Sequence, residues 1–122
     1  MTVLITGFEP FGGECVNPSW LAATHFAGAH IAGHDIITAC LPTAFDASLQ
    51  ALQALLDEHQ PQLVIAFGQA AFRSRISLER VAININDARI PDNDGAQPID
   101  TPVIAGGEAA YFSRLPIKAI LQ

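Results

Sequence analysis

Thr2-Val3-Leu4-Ile5-Thr6-Gly7-Phe8-Glu9-Pro10-Phe11-Gly12-Gly13 opens the chain, and its reading decides the fold. The apolar run Val3–Ile5, closed by Gly7, has the length of a short buried strand. Glycines, two phenylalanines and a proline follow. Asn17-Pro18-Ser19 then starts a helix over Ser19 to Ala27. Asn17 or Ser19 can cap it, and Pro18 sits in the first turn, where its missing N–H costs little. Trp20, Leu21, Ala23 and Thr24 make no sharp apolar stripe in it.

Working outward, Asp35 to Leu41 reads as a strand ending at Pro42. Thr43 can cap a second helix, with Asp46 three residues on as a carboxylate capping box. Leu49, Leu52, Leu55 and Leu56 keep helical spacing, and the helix ends near His59, before Pro61. Leu63-Val64-Ile65-Ala66-Phe67, closed by Gly68, reads as a strand buried on both faces. This alternation predicts an α/β fold: a three-layer open sheet of mostly parallel strands flanked by helices, with right-handed crossovers.

Gln69 to Leu78 reads as a loop. Val81, Ile83 and Ile85 alternate with Ala82, Asn84 and Asn86, the pattern of a half-buried strand. Residues 88–105 hold three prolines and three aspartates and read as a long ordered loop or a hairpin. Glu108 to Tyr111 reads as helical. Pro116 to Leu121 reads as a helix start that stops at Gln122 without a cap. Residues 1–122 are therefore expected to form a single α/β domain that is incomplete, the front part of a longer protein with its C-terminal part missing.

Half of the 122 residues are hydrophobic, 15% are charged, and the formal net charge is −6. No basic stripe is available for nucleic acid. The N-terminus lacks the basic flank and apolar length of a signal peptide, and no stretch approaches the ~20 apolar residues of a membrane span. Two cysteines do not make a disulfide scaffold. A soluble cytoplasmic protein with free thiols is the expectation.

Gly7 and Gly12 have the spacing of a phosphate loop, which then requires Lys and Ser or Thr. Gly13 and Glu14 stand there instead, and Glu14 repels phosphate. Two readings remain: a tight glycine turn under two aromatic rings, or Phe8 and Phe11 as walls for a lactam or aromatic ligand. Cys15 and Cys40 read as inert, since Glu14 opposes a thiolate at Cys15 and Cys40 sits late in a strand. His25, His30, His34 and His59 show no metal-ligand spacing, and no metal or cofactor is expected. Glu79 is either a solvated strand-end carboxylate paired with Arg80 or Arg75, or an acid that orients a catalytic base. No nucleophile–base pair stands out to serve with it.

Leu4 to Gly13 with Asn17-Pro18-Ser19, then Glu79 to Asn84, Asp87 to Asn93, Gln97-Pro98-Ile99, Gly106-Gly107, Ala109 to Phe112 and Leu115 to Lys118 closely resemble the pyroglutamyl peptidase I (pyrrolidone-carboxylate peptidase) family. The resemblance runs from end to end. It implies a cysteine exopeptidase that removes N-terminal pyroglutamyl residues from peptides, with a Cys, His and Glu catalytic set, commonly a tetramer. On that resemblance Glu79 is the catalytic Glu. Phe8 and Phe11 flank the pyroglutamyl ring, and Thr43, Gln69 and Ile90 belong to its pocket. Arg89 lies near the reacting centre, and Asn17 orders a loop. After Gln69 the chain departs from the family pattern, with Ala70-Ala71-Phe72 in place of a glycine-rich turn and Leu78 in place of a proline. Neither Cys15 nor Cys40 matches the family's nucleophile, so the 122-residue chain is expected to be inactive alone. The rival reading is a non-catalytic fragment or binding module for pyroglutamyl termini or a protein partner.

Overall fold

The computed structural model describes residues 1–122. In chain order its elements are β1 (Thr2–Phe8), α1 (Pro18–Thr24), β2 (His30–Ile31), β3 (His34–Leu41), α2 (Phe45–His59), β4 (Leu63–Ala66), β5 (Val81–Ile83), β6 (Ala110–Phe112) and α3 (Ile117–Ile120). They fall into two compact units, Met1–Ala70 with Pro91–Ala96, and Ala71–Ile90 with Gln97–Gln122.

The first unit holds a four-stranded sheet in the order β2-β3-β1-β4. β1 pairs in parallel with β3, from Thr2↔Asp35 to Phe8↔Leu41. It also pairs in parallel with β4, from Val3↔Leu63 to Thr6↔Ala66. This is the mostly parallel α/β sheet that the strand–helix alternation predicts. β2, which the sequence pattern did not suggest, turns back onto β3 antiparallel through Ala32-Gly33. The connection after β1 leads to one flank of that strand and the connection after β3 leads to the other. The carboxyl ends of β1 and β4 are therefore a topological switch point, where open α/β sheets bind ligands.

Two β1 neighbours explain its apolar run. Val3 and Ile5 pack with Ala23 and Ile36, bordered by Trp20, Phe26, Ile65 and Phe67. Leu4 and Thr6, of opposite parity, are fully enclosed. Gly7 is required by a close approach: a Cβ there meets Trp20 Cα at 2.6 Å and Ser19 O at 2.7 Å. α1 can lie on β1 only because that side chain is absent.

Two expectations in this unit need correction. β4 is not buried on both faces: Leu63 and Val64 are 39% and 36% exposed, because β1 is its only strand partner. α2 spans the expected residues, but Thr43 does not cap it. Ala44 holds the cap position without a side-chain bond.

In the second unit β5 and β6 pair antiparallel, from Val81↔Phe112 to Ile83↔Ala110. Residues 110–112 are thus strand, not part of a helix over Glu108–Tyr111. A four-residue segment cannot nucleate a helix against an available ladder. β5 ends at Ile83 and is exposed rather than half-buried. Beyond it the Asn84 side chain does the pairing: its amide donates to Ile104 O and its carbonyl accepts from Ile104 N, both at 2.8 Å. Asn86 bridges Thr101 antiparallel, the base of the expected hairpin. α3 begins after Pro116, as its proline suggests. No helix is long and apolar enough to cross a membrane.

Candidate functional site

The loop leaving β1 is built around the carbonyl of Glu9. Asn17 Nδ2 donates to it at 3.0 Å and Thr43 Oγ1 at 2.7 Å. The Glu9 N–H donates to Leu41 O at 3.0 Å. Phe8 and Phe11, each half-buried, flank this fixed point. Phe11 to Glu14 closes a turn through the Glu14 N–H and Phe11 O, with φ of 64° at Gly12 and 79° at Gly13. Two successive positive φ values exclude most side chains, so the glycines serve the turn rather than a phosphate.

Asn17 is the cap of α1 and is 3% exposed. Its Oδ1 accepts from the Ser19 N–H at 3.0 Å and from Ser19 Oγ at 2.7 Å. Ser19 Oγ in turn accepts from the Phe8 N–H at 3.0 Å. The start of α1 and the end of β1 are thereby one hydrogen-bonded network. Ser19 entered the sequence reading only as an alternative cap. Its second role has no local signature.

Residues 91–96 carry a group that sequence reasoning missed. Asp92 Oδ2 accepts the Phe45 N–H at 2.8 Å, supplying from a distance the cap that Ala44 cannot. Asp92 Oδ1 accepts from Asp94 N and Ala96 N. The Phe45 N–H first, then those of Ala96, Asp94 and Gly95, hold this carboxyl below its ordinary value. Asn93 donates its N–H to Thr43 O at 3.0 Å and its Nδ2 to Pro10 O at 2.9 Å. Asp92-Asn93-Asp94-Gly95 is readable as a turn from its composition, but not the partners it reaches.

Asn17 and Thr43 therefore meet at one carbonyl, with Phe8 one residue before it and Phe11 two residues after it in the chain. Gln69 is exposed and follows β4, at the same end of the sheet as Phe8. Glu79, Arg89 and Ile90 belong to the second unit. There Glu79 Oε1 accepts from Arg73 at 2.6 Å, not from Arg80 or Arg75 as its spacing suggested. Arg89 does not bond Glu79. Its guanidinium lies 6.0 Å from the centre of the Phe72 ring. Ile90 is exposed.

Neither cysteine is bonded to a histidine. Both are free, and Cys40, despite its exposed residue surface, has its thiol pushed up by partial burial and by Glu9. His30 pairs with Asp35, His34 with the Ala32 carbonyl and His59 with Glu58. No group of three His, Cys, Asp or Glu side chains has metal-binding geometry.

The sequence model of the family described as pyroglutamyl peptidase matches residues 1–122. Pyrrolidone-carboxylate peptidase 1 of Photorhabdus laumondii is 60% identical over 121 residues, which cover 99% of this chain and 55% of that protein. Pyrrolidone-carboxylate peptidase of Klebsiella pneumoniae is 58% identical, with 98% and 56% covered. The structure of pyroglutamyl peptidase I from Bacillus amyloliquefaciens superposes with a TM-score of 0.93 at 50% identity, covering 98% of this chain and 58% of that one. A mutant pyrrolidone carboxyl peptidase from Pyrococcus furiosus gives 0.96 at 45% identity, with 99% and 58% covered. The chain spans about half the length of the curated relatives it matches.

Proposed function

This chain belongs to the pyroglutamyl peptidase family, and from that premise we propose that its β1 loop is the ring-binding part of a site for peptides with an N-terminal pyroglutamyl residue. One observation carries the proposal: Phe8 and Phe11 flank a carbonyl held by two side-chain donors, at the carboxyl end of the central strand. A pyroglutamyl group is an uncharged lactam with two apolar ring faces and one amide edge. Aromatic walls with a few fixed polar groups suit it. Thr43 Oγ1 spends its hydrogen on Glu9 and keeps lone pairs free to accept from a ring N–H. By resemblance, Gln69, Arg89 and Ile90 are proposed as further substrate-binding residues and Asn17 as loop organiser.

The reaction proposed for the family site is acyl transfer. A thiolate attacks the pyroglutamyl carbonyl carbon, an imidazolium protonates the leaving amine, and water then cleaves the thioester. Glu79 is the residue proposed to orient that imidazole. In this chain its carboxylate is engaged by Arg73, which would have to share it. We further propose that nucleophile and base lie outside these 122 residues, which form part of one α/β peptidase domain.

The test uses the purified chain. It is expected to bind pyroglutamyl amide, seen as shifts of the Phe8 and Phe11 ring resonances, and to release no coumarin from pyroglutamyl-aminomethylcoumarin. Turnover that survives Glu79→Gln overturns the catalytic assignment, and unshifted rings overturn the pocket.

A further inference from the structure

Asn93 occupies a position that the ring-binding proposal leaves unused. Its two donors go to two different pieces of the same unit. The backbone N–H reaches Thr43 O, at the approach to α2, and Nδ2 reaches Pro10 O, in the loop between Phe8 and Phe11. Thr43 itself donates to Glu9 O, the carbonyl just before Pro10. Successive carbonyls of the loop are thus held by Thr43 and by Asn93, and Asn93 also holds Thr43. The four-residue circuit Glu9–Thr43–Asn93–Pro10 closes on itself through the Glu9–Pro10 peptide bond.

The placement of Asn93 is prepared by its neighbour. Asp92 anchors to Phe45 N through one carboxylate oxygen and folds the following turn through the other. Gly95 N returns to Asp92 O, with Gly95 at a φ of 84°. The segment is rigidly tied before Asn93 extends its amide.

Pro10 has no N–H to donate, so its carbonyl is the only backbone hydrogen-bonding group at that residue. Phe8 is fixed from its other side by Ser19. Phe11 has no comparable side-chain tether, and its distance from Phe8 depends on the Pro10 peptide.

We propose that Asn93 is a positioning residue for the pyroglutamyl site: its bridge between Pro10 O and Thr43 O sets the gap between the Phe8 and Phe11 rings and so the ring size the pocket accepts. This rests on the reading of that loop as the ring-binding site. One methylene in an apolar pocket is discriminated by roughly 10–200-fold, a range a loosened wall reduces.

The test compares the wild-type chain with Asn93→Ala, which keeps the backbone bond and loses the amide donor, and with Asn93→Asp, which keeps the size and points a carboxylate at Pro10 O. Pyroglutamyl amide and its six-membered homologue, 6-oxopiperidine-2-carboxamide, are titrated against each. The wild-type chain is expected to favour the five-membered ring, and both variants to lose about tenfold of that preference. Equal weakening for both lactams marks a merely structural role and overturns the proposal, as does an unchanged ratio. Hydrogen exchange at the Glu14 amide, bonded to Phe11 O, is read in parallel. It is expected to quicken about tenfold in both variants, and unchanged exchange overturns the tether itself. If the wild-type chain binds neither lactam, the ring-binding reading falls and the specificity role with it, while the exchange result still decides whether Asn93 holds the loop.

Discussion

Replacing Asn17 by alanine tests the network that joins β1 to α1. Three bonds vanish together: Oδ1 to the Ser19 N–H, Oδ1 to the Ser19 hydroxyl, and Nδ2 to Glu9 O. Loss of a helix cap costs about 1 kcal/mol. The Ser19 hydroxyl, on a residue 5% exposed, is left as a buried donor without an acceptor, which costs a further ~1–3 kcal/mol. Glu9 O keeps Thr43 and adds little. The sum is about 2–4 kcal/mol, a large part of the ~5–15 kcal/mol that holds an ordinary domain together. In urea, with a slope of about 2 kcal/mol/M, the midpoint should fall by roughly 1–2 M. Ser19→Ala and the double variant complete a cycle. Because Asn17 and Ser19 share two bonds, the double variant should cost about 1 kcal/mol less than the sum of the singles. A midpoint shift below ~0.3 M for Asn17→Ala, or strict additivity in the cycle, refutes the claim that these residues act as one network.

Three further outcomes follow from single sites. Gly7→Ala drives a Cβ into the backbone of Ser19 and Trp20, which cannot rotate away, and should cost about 1–3 kcal/mol or more in denaturant melts. A cost under ~0.5 kcal/mol, the range of neutral surface changes, would mean α1 does not lie as described. Thr6→Val removes a fully buried hydroxyl that has no partner and should stabilise by about 1 kcal/mol, whereas a loss of stability would reveal a bound water at that oxygen. Asp92 has a depressed folded pKa, so its contribution is present above the ordinary carboxylate value of 3.8 and is lost as pH falls through the folded value. Asp92→Asn should therefore be less stable than wild type at pH 7, and the gap in urea midpoint should close on acidification below about pH 4. A gap that does not change with pH would remove the carboxylate from the capping role.

The parts of the fold legible in the sequence are those whose signals are local. β1 is an apolar run, α2 carries four leucines at helical spacing, and Asn17-Pro18 is a cap followed by a first-turn proline. What escaped depends on partners distant in sequence. Thr43 has the right residue type and spacing for a cap, yet its hydroxyl is better used on Glu9, and Asp92 takes the helix end. Residues 110–112 follow a weak helical pattern until β5 offers them a ladder. β4 has the composition of a strand buried on both faces, but burial also requires neighbours, and here β1 is its only strand partner. Of the residues proposed for the site by resemblance, Phe8, Phe11, Asn17 and Thr43 lie in the first unit. The pairing of Glu79 with Arg73 was not legible in the sequence, since a segment without helical or strand periodicity gives no spacing that favours Arg73 over Arg75 or Arg80.

The cap of α2 has a consequence in time. Phe45 and the Asp92 that completes its turn are 47 residues apart. At ~5–20 residues per second, the ribosome extrudes Phe45 roughly 2–9 s before Asp92. During that interval the helix start is open and Thr43 O lacks its Asn93 donor. The β1 loop consequently reaches its final form only after the hairpin tip has been made, whatever the order in which the sheet assembles. Substitutions at Asp92 that quicken unfolding while leaving refolding almost untouched would mark this cap as a contact made after the main barrier.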